Sequence, residues 1–198
     1  QYDKIKWFWK YIKTNKIMEK LLSKEYKEKI VAMHNKKKWG GAVAGGKVIE
    51  INKYMILSNA KSVLDYGCGY GAFKRGVEQA FPDYKYKIYE YDPGIIGKDI
   101  DPPVCDSLIC IDVLEHIEPD KIDDVLQHMY DKINNWAYIN ICCVQSFNAF
   151  ADGTNLHVLI RPPEWWIRKF DKKWDVLHLS SSPKNVLMLL KKNKLWKY

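Results

Sequence analysis

The chain is 198 residues long, 47% hydrophobic and carries a net charge of +8, which is enough for one full core and too little for two independent domains of ordinary size. No run reaches the roughly 18 apolar residues of a membrane-spanning helix, and no stretch has the charged start, apolar centre and small-residue cleavage site of a secretory signal, so a cytoplasmic protein without a membrane span is expected. The five cysteines, Cys68, Cys105, Cys110, Cys142 and Cys143, are odd in number, lie mostly in apolar runs and lack zinc-site spacing; they fit reduced core thiols rather than a disulfide framework.

The charge is concentrated at one end. Residues 1–38 hold twelve lysines against Asp3, Glu19, Glu25 and Glu28, so the whole basic excess lies there. The same segment places Ile5, Phe8, Ile12, Met18, Leu21, Leu22, Tyr26, Ile30 and Met33 at three- and four-residue intervals, which predicts one or two amphipathic helices broken near Thr14-Asn15. Two uses are open: a helix packed on the domain with a solvated lysine face, or a surface for an anionic partner, nucleic acid or membrane. The cluster Trp7-Phe8-Trp9-Tyr11 between lysines suits the second. Residues 1–45 are therefore read as a basic helical extension and residues 46–198 as the main domain, with Gly40, Gly41, Gly45 and Gly46 as a hinge between them.

From residue 46 the pattern alternates in type. "GKVIEINKYMILSNA" predicts a helix, Ser62 to Tyr66 a buried strand, Gly71 to Phe81 a helix and "YKIYEYD" a strand. "SLICIDV" is a further strand, "PDKIDDVLQHMYDKI" a helix, "WAYINICC" a strand and "PPEWWIRKF" a helix with prolines at its start. "WDVLHLS" and "NVLMLLKK" are two strands joined by "SSPK", a connection so short that only an antiparallel hairpin is possible. The expected fold is α/β: a mostly parallel Rossmann-like sheet covered by helices on both faces, ending in an antiparallel hairpin, with ligands at the carboxyl ends of the strands.

The segment "VLDYGCGYGAF" sits at such a strand end. Gly67, Gly69 and Gly71 let the loop take positive φ angles and approach a ligand closely. The spacing is D-x-G-x-G-x-G, not the G-x-G-x-x-G of a dinucleotide fingerprint. Asp65 would repel a pyrophosphate yet could bind an ammonium group, and Asp92, ending the next strand in "YEYDP", is placed to accept hydrogen bonds from ribose hydroxyls. An adenosyl group carrying an amino acid fits both acids.

Together "VLDYGCGYG", "YEYDP" and "LICIDVLEHIEP" resemble the class I S-adenosylmethionine-dependent methyltransferases over about residues 46 to 191. "EYDP", "DVLEHIEP" and "DGTNLHVLIRPPEWW" are similar to small methyltransferases of tailed-phage genomes; the resemblance implies a phage-encoded viral protein, which would act in the host cytoplasm. The resemblance implies a seven-stranded sheet and S-adenosylmethionine as cofactor. It implies that Asp65, Tyr66, Gly67, Cys68, Gly69 and Tyr70 line the methionine end, Asp92 and Pro93 the ribose, and Asp112 with Val113 the far side of the cleft. One departure stands out: between Asp92 and Ser107 there is little room for the usual third strand and its helix, leaving Asp99 or Ile100 to meet the adenine.

Methyl transfer from a sulfonium needs a positioned nucleophile and, for an oxygen or amine, a base. Glu115, His116 and His157 are the catalytic candidates, with Asn155 beside His157 in a long loop. The order acid-x-x-Glu-His with a later His also resembles the metal site of the 2′-O-methyltransferases that modify small-RNA 3′ ends. That resemblance implies a divalent cation, magnesium or manganese, on Asp112, Glu115, His116 and His157, although Asp112 is shorter than the usual Glu. Metal-free catalysis by His157 and a structural role for the whole group stay open beside it. His34, His128 and His178 read as structural or surface, and Trp165 and Trp166 as core rather than as a lid. Three functions follow: a methyltransferase for an oxygen or nitrogen of nucleic acid or a nucleotide; one for a small metabolite or sugar, with the N-terminal helices as a lid; or a non-catalytic cofactor-binding protein.

Overall fold

The apolar runs become one six-stranded sheet in the computed structural model, which describes residues 17, 19–37, 40, 42–170 and 173–193. The elements are α1 (Lys24–Lys37), α2 (Ala42–Gly46), α3 (Val48–Leu57), β1 (Ser62–Tyr66), α4 (Ala72–Ala80), β2 (Lys87–Tyr91), β3 (Cys105–Ile111), a 3₁₀ turn (Leu114–His116), α5 (Ile122–Asp131), β4 (Ile133–Cys142), α6 (Pro163–Phe170), β5 (Trp174–Ser182) and β6 (Asn185–Lys192). The strand order is β2-β1-β3-β4-β6-β5. β1 runs parallel to β2 and β3, and β3 parallel to β4, whereas β6 is antiparallel to both β4 and β5.

Why the central runs are strands is visible in how they bury. Consecutive residues of β3 and β4 face opposite sides of the sheet, and both sides are covered. Leu108, Cys110, Ala137, Ile139 and Ile141 pack toward Val125 and Met129 of α5 and Trp166 and Phe170 of α6. Ile109, Ile111, Trp136 and Tyr138 pack on the other side, with Ile51 and Met55 of α3 and Phe73 and Val77 of α4. Each such side chain contributes about 1.5–3 kcal/mol by burial. Trp166 is fully buried, so it is core as expected, while Trp165 is only partly covered and lies under Arg161 and Lys169.

Several expectations change in detail. No strand forms between Asp92 and Val104, so among the described residues the sheet has six strands rather than seven, with β2 at an edge. Asp112 and Val113, placed by the sequence pattern within a strand, lie beyond its end because Asp112 turns the chain with φ 52°. The expected helix break at Thr14-Asn15 lies outside the described residues. Among the described residues a break occurs at Leu22-Ser23, where the Ser23 N–H and hydroxyl both donate to the Glu118 carboxylate at 2.8 and 2.7 Å and Ser23 Oγ accepts from the Tyr26 N–H. The glycines read as a hinge include Gly45 and Gly46, which are helical; a Cβ on Gly45 would touch Ala72, so this glycine serves close packing of α2 on α4. α1 itself lies on the domain: Leu22, Tyr26, Ile30 and Met33, four and three residues apart, pack against Phe150 and Leu156.

Candidate active site

The glycine loop takes the shape its sequence requires. Gly67, Gly69 and Gly71 have φ of 77°, 53° and 77°, a region that residues with a Cβ rarely adopt. A Cβ on Gly67 would also overlap Val113. Asp92, at the tip of β2, is 6% exposed and faces this loop: Oδ2 accepts from the Gly69 N–H at 2.8 Å and Oδ1 from the Gly94 N–H at 2.9 Å. Behind the loop Asp65 is buried with Oδ2 lacking a hydrogen-bond partner. Burial, reinforced by the Glu90 and Asp92 charges and opposed by Lys98, pushes its carboxyl up to about 8. Lys98 bridges this corner, donating to Gly69 O and pairing with Glu90 at 3.0 Å.

A cavity of about 80 Å³ opens beside the loop. Tyr66, Gly67, Asp92, Pro93, Asp112 and Val113 all line it. Asp65, Cys68, Gly69 and Tyr70 do not: the Cys68 thiol turns to Gly69 O, and the Tyr70 hydroxyl donates to His34 O. Nor do Asp99 and Ile100, the positions assigned to adenine. Asp99 is paired with Lys27 at 3.2 Å, and Ile100 is half exposed to solvent. The opposite wall comes from the N-terminal segment: Leu21, Leu22, Ile30, His34 and Gly40. His34 Nε2 sits 3.5 Å from Asp92 Oδ1.

The second cluster lies at the ends of β3 and β4. Glu115, His116 and His157 bring ligand atoms within 4.8 Å of one another, and the two rings meet edge to face with centroids 4.7 Å apart. Both rings are held by backbone carbonyls: His116 Nδ1 donates to Leu156 O at 2.8 Å and His157 Nδ1 to Val144 O at 2.5 Å, which leaves Nε2 of each ring as the nitrogen not engaged by these carbonyls. Asn155 braces this arrangement. Its Oδ1 accepts from the N–H groups of Ser146 and His157, and its amide donates to Ser146 O. Glu115 is fully buried; Oε1 accepts from the Cys142 N–H, and Oε2 has no partner. Burial, with Asp112 adding to it, raises its carboxyl to about 8, whereas burial lowers His116 to about 4.

Asp112 does not join the three-residue group; its Oδ1 accepts from Asn140 Nδ2 at 2.7 Å, which turns the short arm toward β4. Of the four residues read as a metal set, Glu115, His116 and His157 come together and Asp112, held by Asn140, does not. No cysteine competes for a nucleophilic role here, since burial raises Cys68, Cys142 and Cys143 above the ordinary thiol range.

Two features escaped the sequence reading. One is His34, read as part of the basic segment and found buried against Asp92. The other is a buried chain in which Tyr66 OH meets His128 Nδ1 at 2.9 Å, His128 Nε2 meets Asp101 at 3.0 Å and Lys132 pairs with Asp101 at 2.6 Å. His128 does share one face of α5 with Val125 and Met129, a weak sign that it points inward. His34 follows Ile30 by four residues on α1, the corresponding sign.

Among solved structures the chain is similar to an O-methyltransferase family protein from Burkholderia thailandensis, with a TM-score of 0.54 and 13% identity over 76% of this chain and 56% of that one. It is similar to TehB from Haemophilus influenzae, with a TM-score of 0.54 and 14% identity over 75% of this chain and 62% of that one. A third similar structure is magnesium protoporphyrin IX methyltransferase from Synechocystis PCC 6803 with bound SAM, with a TM-score of 0.50 and 12% identity over 75% of this chain and 79% of that one. No family model and no curated protein matches the sequence. The fold is therefore the Rossmann-like fold of class I methyltransferases, and the chain spans less than two thirds of the length of the first two structures.

Proposed function

We propose that this protein is an S-adenosylmethionine-dependent methyltransferase that methylates an oxygen or nitrogen of its acceptor. The observation that carries the reading is the pairing of three positive-φ glycines after β1 with the buried Asp92 carboxylate at the tip of β2. The residues fit the ribose end of the cofactor, which Asp92 and Pro93 would hold, and the buried Asp65 behind the loop, its Oδ2 unpartnered, would gain an ammonium partner only on ionising. When bound, the cofactor supplies an electrophilic methyl group on a sulfonium. The protein then needs to align the acceptor and take its proton. His157 Nε2 is the accepting atom of a ring fixed by Val144 O and Asn155, and it stands beside the cavity-lining His116. Glu115, protonated near neutral pH, orders the corner through Cys142.

A second reading rests on the Glu115, His116 and His157 group. Three converging donors, two imidazoles anchored through Nδ1 and one carboxylate, would suit manganese better than magnesium, which prefers oxygen ligands, and the ion would act on the acceptor as a Lewis acid. For the acceptor itself, α1 packed along the cleft supports a small molecule with the N-terminal helix as a lid. The lysine excess of residues 1–38 supports nucleic acid or a nucleotide.

Transfer of labelled methyl from S-adenosylmethionine to RNA, DNA, nucleotides and a metabolite extract, each with manganese, magnesium or chelator, tests these readings. Label in a small compound, insensitive to chelator and abolished by His157→Ala, is the expected result. Label in polymer that chelator abolishes selects the metal-assisted reading, and no label in any acceptor with intact cofactor binding leaves a non-catalytic binding protein.

A further inference from the structure

We infer that the adenosyl half of the cofactor is bound by the N-terminal helix α1, whose Ile30 and His34 form the wall that the shortened sheet does not supply; this rests on the methyltransferase reading above. The sheet ends at β2, and the chain from Asp92 to Val104 forms no strand beside it. α1 lies against this stretch instead. A Cβ on Gly94 would overlap Ile30 and crowd His34, so only a glycine lets the helix come this close to the residues after Asp92. Lys27 pairs with Asp99 on the same stretch, and Tyr26 OH donates to His116 O at 2.8 Å, fixing α1 across both halves of the cleft.

The chemistry of the wall matches an adenosyl group. Leu21, Leu22 and Ile30 give an apolar surface opposite Pro93 and Val113, the lining a flat heterocycle requires. His34 adds a polar group 3.5 Å from the acid that would accept ribose hydroxyls. A cavity of about 80 Å³ holds a few waters and not a nucleoside. The cavity must therefore widen to admit the cofactor, and Ile30 and His34 stand on the wall that an entering adenosyl group meets.

The test is calorimetric titration of the full chain with S-adenosylhomocysteine and with 5′-methylthioadenosine, which lacks the amino-acid end. Wild type is compared with Ile30→Ala, His34→Ala and Gly94→Ala, and thermal melts identify any variant that has lost its fold. Each folded variant is expected to bind both compounds at least tenfold more weakly, and amide exchange in residues 24–37 is expected to slow when ligand binds wild type. Gly94→Ala keeps the test decisive if the two core truncations unfold, because it removes no side chain and retains the N–H bonded to Asp92. Wild type that binds both compounds, with variants within twofold of it, overturns the wall alone. Wild type that binds neither compound overturns the cofactor reading and the wall with it.

Discussion

The two halves of the cleft are built in opposite ways. The glycine loop is local: three glycines within five residues follow one strand, and the acid they face ends the adjacent strand. The histidine corner is assembled from afar, with His116 after β3 held by Leu156 O and His157 held by Val144 O in a loop 40 residues on. The difference teaches where function can be altered separately. A change in the loop should act on cofactor binding and stability together, and removal of the His157 ring from the corner should act on turnover alone.

The sharpest attempt to break this division is His157→Ala. With its ring gone, the acceptor's proton loses its receiving atom, and kcat is expected to fall by about 10²- to 10⁴-fold. The dissociation constant for S-adenosylhomocysteine should stay at the wild-type value. If affinity falls as well, the two halves are not separable. Next in size is Gly67→Ala, which places a Cβ at φ 77° and against Val113. Denaturant melts should show a loss of about 2–3 kcal/mol from backbone strain and overpacking. A loss of less than about 0.5 kcal/mol would mean that the loop relaxes freely and is not a fixed cradle.

Glu115→Gln tests the corner through pH. Burial holds the Glu115 carboxyl up at about 8 in the folded protein, against an ordinary value near 4.5. Between those values the folded chain keeps a proton that the unfolded chain releases, so this group's contribution to stability is full below about pH 4.5 and is lost as pH rises through 8. Gln carries no such proton and can still accept from the Cys142 N–H. The variant should match wild type at low pH and exceed it above pH 8, where half of the displacement corresponds to roughly 2 kcal/mol. Parallel stability profiles for the two proteins would show that Glu115 ionises normally. Asp65, also raised to about 8, gives a slope of the same sign in both proteins and cancels in the comparison.

The same division explains what the sequence made legible. Ser62 to Tyr66 and Asn185 to Lys192 coincide with β1 and β6 because unbroken apolar runs bounded by turn residues carry their own period. The glycine spacing marks the loop, and the place of Asp92 at the end of the following strand, in "YEYDP", marks that acid. The short interval before Ser107 exposed the missing strand. What could not be read was anything depending on which side of the sheet a distant segment reaches. The sequence offers Asp99 or Ile100 for adenine, and Asp99 is paired with Lys27 of α1; it offers Asp112 as a metal donor, and Asn140 of the neighbouring strand donates to it. Both outcomes are set by tertiary neighbours 72 and 28 residues away, which no local pattern records.

Asp92→Ala is the smallest expected change and the one that joins the two halves. Its carboxylate accepts from Gly69 in the cradle and from Gly94 in the segment under α1, and it lies 3.5 Å from His34 on the opposite wall. Loss of the ribose contact alone should weaken S-adenosylhomocysteine about tenfold, equivalent to about 1.4 kcal/mol. If Asp92 also anchors His34, then Asp92→Ala combined with His34→Ala should weaken binding by less than the product of the two single effects, because each single change already breaks the shared contact. Multiplying effects would make the acid and the helix independent walls. Unchanged affinity in Asp92→Ala would remove the ribose assignment and, with it, the main chemical reason for reading the glycine loop as a cofactor cradle.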